Sequence, residues 1–231
     1  MSPAPYLRPM APTAEAAILC GDPARALLLA QELLSEPRMS NHHRGLWGYW
    51  GETADGAELT VQATGIGGPS ASIVLGELIE AGLRRAIRIG TCSSPDGSLG
   101  LGTAVVAATA APAGGGPIAP DRALSDAMIA GGAGPGAAVI SLERPPPGDD
   151  GPLHIHGGPG ASAIVHGPLD LQTAALAALA SDRGVGFAAA LIVADSEGVP
   201  LEDEALESVA LRLGRIAVGA LAATAAQSPE A

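Results

Sequence analysis

The chain has 231 residues, enough for one large domain with a substantial core. Its 12 basic side chains, all of them Arg, face 24 acidic ones, and the formal net charge of −12 disfavours polyanionic partners such as nucleic acid or an anionic membrane surface. Aromatic residues make up 2% of the chain, so the core must come from Ala, Val, Leu and Ile, and base stacking is disfavoured as a binding mode.

Residues 1–13 are Pro-rich and read as an arm. They show no charged-then-apolar leader pattern, and no apolar run reaches membrane-spanning length, so the expected location is the cytoplasm. A short apolar run, 15–20, reads as a buried strand ending at Gly21. Asp22 and Pro23 then read as an N-cap and the first helical residue of a helix over 23–34. Strands are expected at 46–52 and 57–64, joined by the Asp55-Gly56 turn signal. The Gly-rich turn 64–70 leads into a helix over 70–81, and strands follow at 86–90 and 103–109. Residues 112–162 are dense in Gly and Pro, with one helix at 121–130 and short strands at 137–142 and 152–156. Beyond them come a strand near 163–166, a helix over 170–182, a strand over 186–194 and a long helix over 202–225. Strands alternating with helices predict an α/β fold with a mixed, mostly parallel sheet covered on both faces.

Two segments carry most of the chemistry. In Gly21-Asp22-Pro23-Ala24-Arg25 a strand gives way to a helix. A glycine there admits a close backbone approach, the helix N-terminus favours negative charge, and Arg25 lies in the first turn. An ordinary strand-to-helix turn with a surface Arg is the alternative. In Arg88-Ile89-Gly90-Thr91, Arg88 lies within an apolar strand and needs an anion or hydrogen-bond partners, because an unpaired buried charge is costly. Arg88 shares a strand face with Gly90. A structural salt bridge with an acidic neighbour is the less favoured reading of Arg88. Asn41-His42-His43-Arg44-Gly45 reads as a polar loop. Cys20 and Cys92 give no disulfide framework or zinc ligand set and read as packing residues. His154 and His156 lack an evident third ligand, so no metal is expected.

Taken with Arg44 and Thr64-Gly65-Ile66-Gly67-Gly68-Pro69-Ser70, these motifs occur at the spacing of the uridine phosphorylase and hexameric purine nucleoside phosphorylase family. The chain resembles that family closely over 14–110 and more loosely over 163–222. The resemblance implies a single-domain three-layer α/β/α fold over 14–226, with arm 1–13, insert 112–162 and tail 227–231. It also implies phosphate-dependent cleavage of the N-glycosidic bond of a uridine- or purine-type nucleoside, with inorganic phosphate as co-substrate and no cofactor. Gly21, Arg25, Arg88 and Thr91 would hold phosphate, and Arg44 would be donated across a dimer interface, so a homo-oligomer is implied: at least a dimer, and in the family a trimer of dimers. Asp195 would protonate or hydrogen-bond the departing base, making it and Arg88 the catalytic pair. Cys92 and Ser93 would lie on the base side, and Gln172 and Tyr6 would contact ribose.

The pattern departs from the family in its second half. Asp170-Leu171-Gln172 stands where the family has Glu-Met-Glu, and Gln172 lacks the charge of the Glu that grips the ribose hydroxyls. Ser93 stands where the family usually has Gly. No Phe, Tyr or Gln lies within 141–166, where the base-reading residues would fall. Two other readings therefore stand beside phosphorolysis: an inactive homologue that binds phosphate or nucleotide, and a nucleosidase using water. Retention of all three arginines favours phosphorolysis over hydrolysis.

Overall fold

The computed structural model describes residues 6–145, 154–156, 162–164 and 167–226, the two triplets by their backbone alone. The Gly157–Gly160 run, Pro146, Pro147 and the tail 227–231 lie outside the described residues. The first unit is β1 (Ala16–Cys20) and α1 (Pro23–Leu33). Asp22 caps α1, its side chain accepting the Ala24 amide at 2.8 Å, and Pro23 opens the helix at a position where no amide is needed. Next come β2 (Ser35–Asn41), a single 3-10 turn at His43–Gly45, β3 (Gly48–Glu52) and β4 (Glu58–Ala63). The chain continues through α2 (Gly67–Glu80), β5 (Arg85–Ser94), β6 (Ala104–Pro112), α3 (Arg122–Ala130) and β7 (Gly136–Ser141). A small hairpin of β8 (His154–His156) and β9 (Ser162–Ile164) precedes β10 (Leu169–Asp170) and α4 (Thr173–Arg183). The last elements are β11 (Gly186–Ser196), β12 (Val199–Pro200) and α5 (Asp203–Ala225).

One ten-stranded sheet runs β12-β11-β6-β7-β10-β5-β1-β4-β3-β2, and β11 also pairs with β5. That extra pairing closes β5, β11, β6, β7 and β10 into a ring, so one half of the sheet is barrel-like and the other half open. A plain layered sandwich, the sequence expectation, does not contain this closure. The sheet is mixed: β1 is parallel to β4 and β5, and β5 to β11, while β2, β3 and β12 join antiparallel. Because β1, β4, β5 and β11 are parallel to one another, their carboxyl ends meet at a common edge, where ligands enter open α/β sheets.

Strand residues alternate between two apolar clusters. Ile18, Ile87 and Ile192 pack with α1, α3 and α5, while Leu19, Phe187 and Leu191 pack with α2 and α4. The helices come close because small residues line them. A Cβ on Gly214 of α5 would meet Leu29 Cδ2 of α1 at 2.7 Å. The 23 residues of α5 are long and apolar enough to cross a membrane, contrary to the expectation that no run would be. Here the stripe of Ala210, Leu213, Ala217 and Leu221 is buried against the core.

β2 was not expected. Residues 35–39 are exposed, contain Pro37, and form an edge strand without an alternating apolar signal. Each remaining helix and long strand falls where periodicity predicts it, with ends moved by a few residues; β5 alone extends well past its predicted end, to Ser94.

Candidate active site

The carboxyl ends of β1, β4, β5 and β11, together with the β10–α4 junction, surround a cavity of about 500 Å³. Gly21, Arg88, Thr91, Cys92, Ser93, Gln172 and Asp195 all line it. These positions are spread over 174 residues of sequence and come together because strand order, not chain order, sets the edge.

Arg88 lies on the cavity wall. Only 4% of it is exposed, and its guanidinium lies flat against the backbone of Gly90, where a Cβ would meet Cζ and Nη2 at 2.6 Å. A residue with any side chain at 90 would displace it. Arg88 Nη1 donates to Gln172 Oε1 at 2.6 Å, and Nη2 to Asp170 Oδ2 at 3.4 Å. The salt bridge set second at the level of sequence is therefore present, with Asp170 as the acidic neighbour. It does not exhaust the arginine. A guanidinium has five N–H donors, and among the described residues only these two bonds use it; Nε is buried with no partner. Burial lowers the pKa of Arg88 and Asp170 opposes that shift, and the group stays charged as guanidinium does in proteins.

Asp170 is the residue that sequence reasoning passed over. Its carboxylate accepts from the Ser141 hydroxyl, from the Thr173 hydroxyl at 2.6 Å and amide at 2.9 Å, and from the Gln172 amide at 3.2 Å. The signal for it was the demand of a buried Arg88 for a counter-charge, plus an acidic residue three positions before a helix-opening Thr.

Gln172, 2% exposed, ties the loop after β4 to this wall. Its Oε1 takes Arg88 Nη1 and lies 3.1 Å from the Thr64 hydroxyl. That hydroxyl is also 3.1 Å from the Cys20 carbonyl and donates to one of the two at a time. Gln172 Nε2 donates to the carbonyls of Gly65 at 2.6 Å and Gly67 at 3.4 Å. All four of its hydrogen-bonding positions face protein, so the ribose contact expected of Gln172 finds no free donor.

Arg25, half-buried in the first turn of α1, has no ion pair or hydrogen bond among the described residues. Its charge nonetheless reaches the wall, partly opposing the rise that burial imposes on the Cys20 thiol and adding to the fall that burial imposes on Arg88. Arg25 itself is not part of the cavity lining, and neither are Arg44 and Tyr6. Those last two sit together elsewhere, the Arg44 guanidinium 5.2 Å over the Tyr6 ring. Arg44 is held in the left-handed region at φ 59°. The Tyr6 and Leu7 amides donate to the Glu77 carboxylate at 3.1 and 2.7 Å, fixing the arm on α2.

Asp195 is half-buried at a β-bulge of β11, its Oδ1 accepting the Gly198 amide at 3.3 Å. Ser93 of β5 pairs with Leu169 of β10 on one side and with Asp195 of β11 on the other. Burial pushes the thiols of Cys20 and Cys92 up to about 12, so both stay protonated at neutral pH and neither is a nucleophile. Among the described residues no group of three or more His, Cys, Asp or Glu is arranged to hold a metal.

A mixed α/β sheet with a cavity at the carboxyl ends of its parallel strands, Arg88 on its wall, has its opening where open α/β sheets take ligands. A family model described as the phosphorylase superfamily matches residues 15–138, and the chain belongs to that family. Purine nucleoside phosphorylases of DeoD type are similar to its N-terminal part. The protein from Oceanobacillus iheyensis is 44% identical over 82 residues, covering 35% of this chain and 34% of the relative. That from Caldanaerobacter subterraneus is 41% identical over 98 residues, 42% of each chain. That from Clostridium novyi is 45% identical over 82 residues, 35% of each chain. The matched stretch thus spans less than half the length of these curated relatives.

Proposed function

We propose that the chain is a nucleoside phosphorylase that splits the N-glycosidic bond of a purine-type nucleoside with inorganic phosphate, giving free base and pentose 1-phosphate. The observation that carries this reading is Arg88: a buried guanidinium on the wall of a cavity of about 500 Å³, most of whose N–H donors are unspent among the described residues. A buried cation with vacant donors calls for an oxyanion. Arg25 adds a second charge close by with no carboxylate partner among the described residues, and Gly21 and Thr91 border the same space.

In this reading phosphate is held beneath C1′ of the sugar. One of its oxygens forms the new bond to C1′ as the C1′–N bond breaks and its electron pair leaves with the base. Asp195 hydrogen-bonds or protonates the base. The anion also stabilises the positive charge that develops on the sugar. No cofactor takes part. The purine class is favoured over uridine by an acidic residue at position 195 and by the names of the relatives.

Arg44 and Tyr6, paired with each other and away from the chain's own cavity, support a site completed by a second copy, hence at least a dimer. Phosphorolysis of inosine, adenosine, guanosine and uridine, with and without phosphate, tests the reading. Phosphate-dependent release of a purine base is expected, and release without phosphate points to a nucleosidase. Absence of turnover together with phosphate protection in a thermal melt would establish the second reading, an anion-binding homologue. The saturated Gln172 is the observation that favours it.

A further inference from the structure

We infer that Asp170 is a positioning residue for the oxyanion site: its carboxylate holds Arg88 from inside the cavity wall and sets the angle at which the guanidinium meets an anion. The inference rests on the phosphorolysis reading above.

Four of the five donors to Asp170 belong to elements fixed by the fold. They are the Ser141 hydroxyl at the end of β7, the Gln172 amide, and the Thr173 amide and hydroxyl at the start of α4. The carboxylate is therefore set in place without Arg88. Arg88 is the adaptable partner, a long side chain with several rotatable bonds. The four fixed donors are neutral, and a neutral acceptor would serve them. Only the Arg88 contact requires a negative charge. Its length of 3.4 Å exceeds the roughly 2.7–2.9 Å of a tight charge-assisted bond. Asp170 therefore orients the cation without consuming it, while Gln172 at 2.6 Å fixes the other terminal nitrogen and Gly90 supplies the flat bed.

Asp170 acts on a bound anion in two opposite ways. Its charge repels the anion, and its grip keeps Arg88 at the productive angle. Removing both together leaves affinity little changed while misplacing the bound oxyanion. That split separates a positioning role from a structural one.

The test compares Asp170→Asn, Asp170→Glu and Ser141→Ala with the wild type, reading phosphate Kd from thermal shifts and kcat from phosphorolysis. Ser141→Ala removes a neutral bond to the same carboxylate and the acceptor of the Ala174 amide, while Ser141 itself does not line the cavity and makes no hydrogen bond to Arg88 among the described residues. The expected result for Asp170→Asn is a phosphate Kd within about threefold of wild type and a kcat roughly 100-fold lower. Asp170→Glu keeps the charge but displaces it by one methylene, and recovers part of kcat. Ser141→Ala melts earlier with kcat within about threefold of wild type. The proposal is overturned if Asp170→Asn keeps wild-type kcat, or if Ser141→Ala loses as much as Asp170→Asn. Should Asp170→Asn not fold, a folded Asp170→Glu with unaltered kcat overturns it equally. A wild type that turns over no nucleoside removes the phosphorolysis reading and this proposal together; an active wild type beside an equally active Asp170→Asn removes this proposal alone.

Discussion

The two halves of the cavity are built differently. The half from Gly21 to Thr91 is made of local units: a strand, a tight turn and a helix start, or a strand end bearing Arg and Gly two residues apart. The half from Leu142 to Asp195 is made of long-range ties, with Gln172 reaching Arg88 and Thr64 across 84 and 108 residues of chain. The first half holds the groups proposed to bind the anion. The second holds the groups that keep those binders in place. Stated physically, the cation is supplied by one segment and oriented by another.

Removing the cation is the most damaging way to break this arrangement. Arg88→Ala is expected to lower kcat/KM for phosphorolysis by about 10³-fold, since it deletes the donor set proposed to face the oxyanion. It also strands the Asp170 carboxylate, and urea unfolding should show a loss of about 3–5 kcal/mol. Unaltered phosphate dependence in a folded Arg88→Ala protein would place the anion elsewhere and dissolve the distinction between the halves.

Gly90→Ala tests the same wall with one methyl group. The new Cβ would meet Arg88 Cζ at 2.6 Å, so the guanidinium must leave its bed. Phosphate affinity, read by thermal shift, should fall by about 10-fold, with the β-strand backbone itself unstrained. A loss as large as that of Arg88→Ala would mean that the guanidinium has no second usable pose.

Gln172→Met addresses the second half. A near-isosteric apolar side chain leaves the Gly65 and Gly67 carbonyls without their donor and Arg88 Nη1 without its acceptor. The expected effect is a stability loss of about 3 kcal/mol in urea, with KM for a ribonucleoside little changed in the folded fraction. A stable variant whose KM for ribonucleosides rises would return Gln172 to the ribose.

These contrasts mark what the sequence could and could not reveal. Asp22-Pro23 announces α1 because capping is local, and the apolar periodicity of 202–225 announces α5. Gly21, Arg88, Thr91, Gln172 and Asp195 stand out in the sequence and line one cavity, while Arg25, Arg44 and Tyr6, grouped with them by the resemblance, are not in its lining. Three things were hidden. The ring closure depends on β5 pairing with β11, which no local pattern encodes. The edge strand β2 carries polar, exposed residues and so has no period to read. The partner of Arg88 was also hidden: the argument that a buried Arg needs a counter-charge was available, but only the fold brings Asp170, 82 residues away, beside it.

The smallest expected effect concerns the two thiols flanking Arg88. Burial raises Cys20 and Cys92 from the ordinary thiol value of 9.0 to about 12, against the opposing pull of the arginines. The thiol is neutral when protonated, and the fold binds that proton more tightly than the unfolded chain does. Stability from this source is therefore complete below pH 9.0 and is lost as pH climbs from there toward 12. A thiol reagent at pH 8 should find both cysteines slow in the native protein and fast in urea. Cys92→Ala should flatten part of the alkaline decline in melting temperature while leaving the neutral-pH phosphate dependence intact, because an inert packing residue has no part in anion binding. Rapid labelling of either thiol in the native protein, protected by phosphate, would instead reveal an opening of the wall around Arg88 that the closed geometry does not contain.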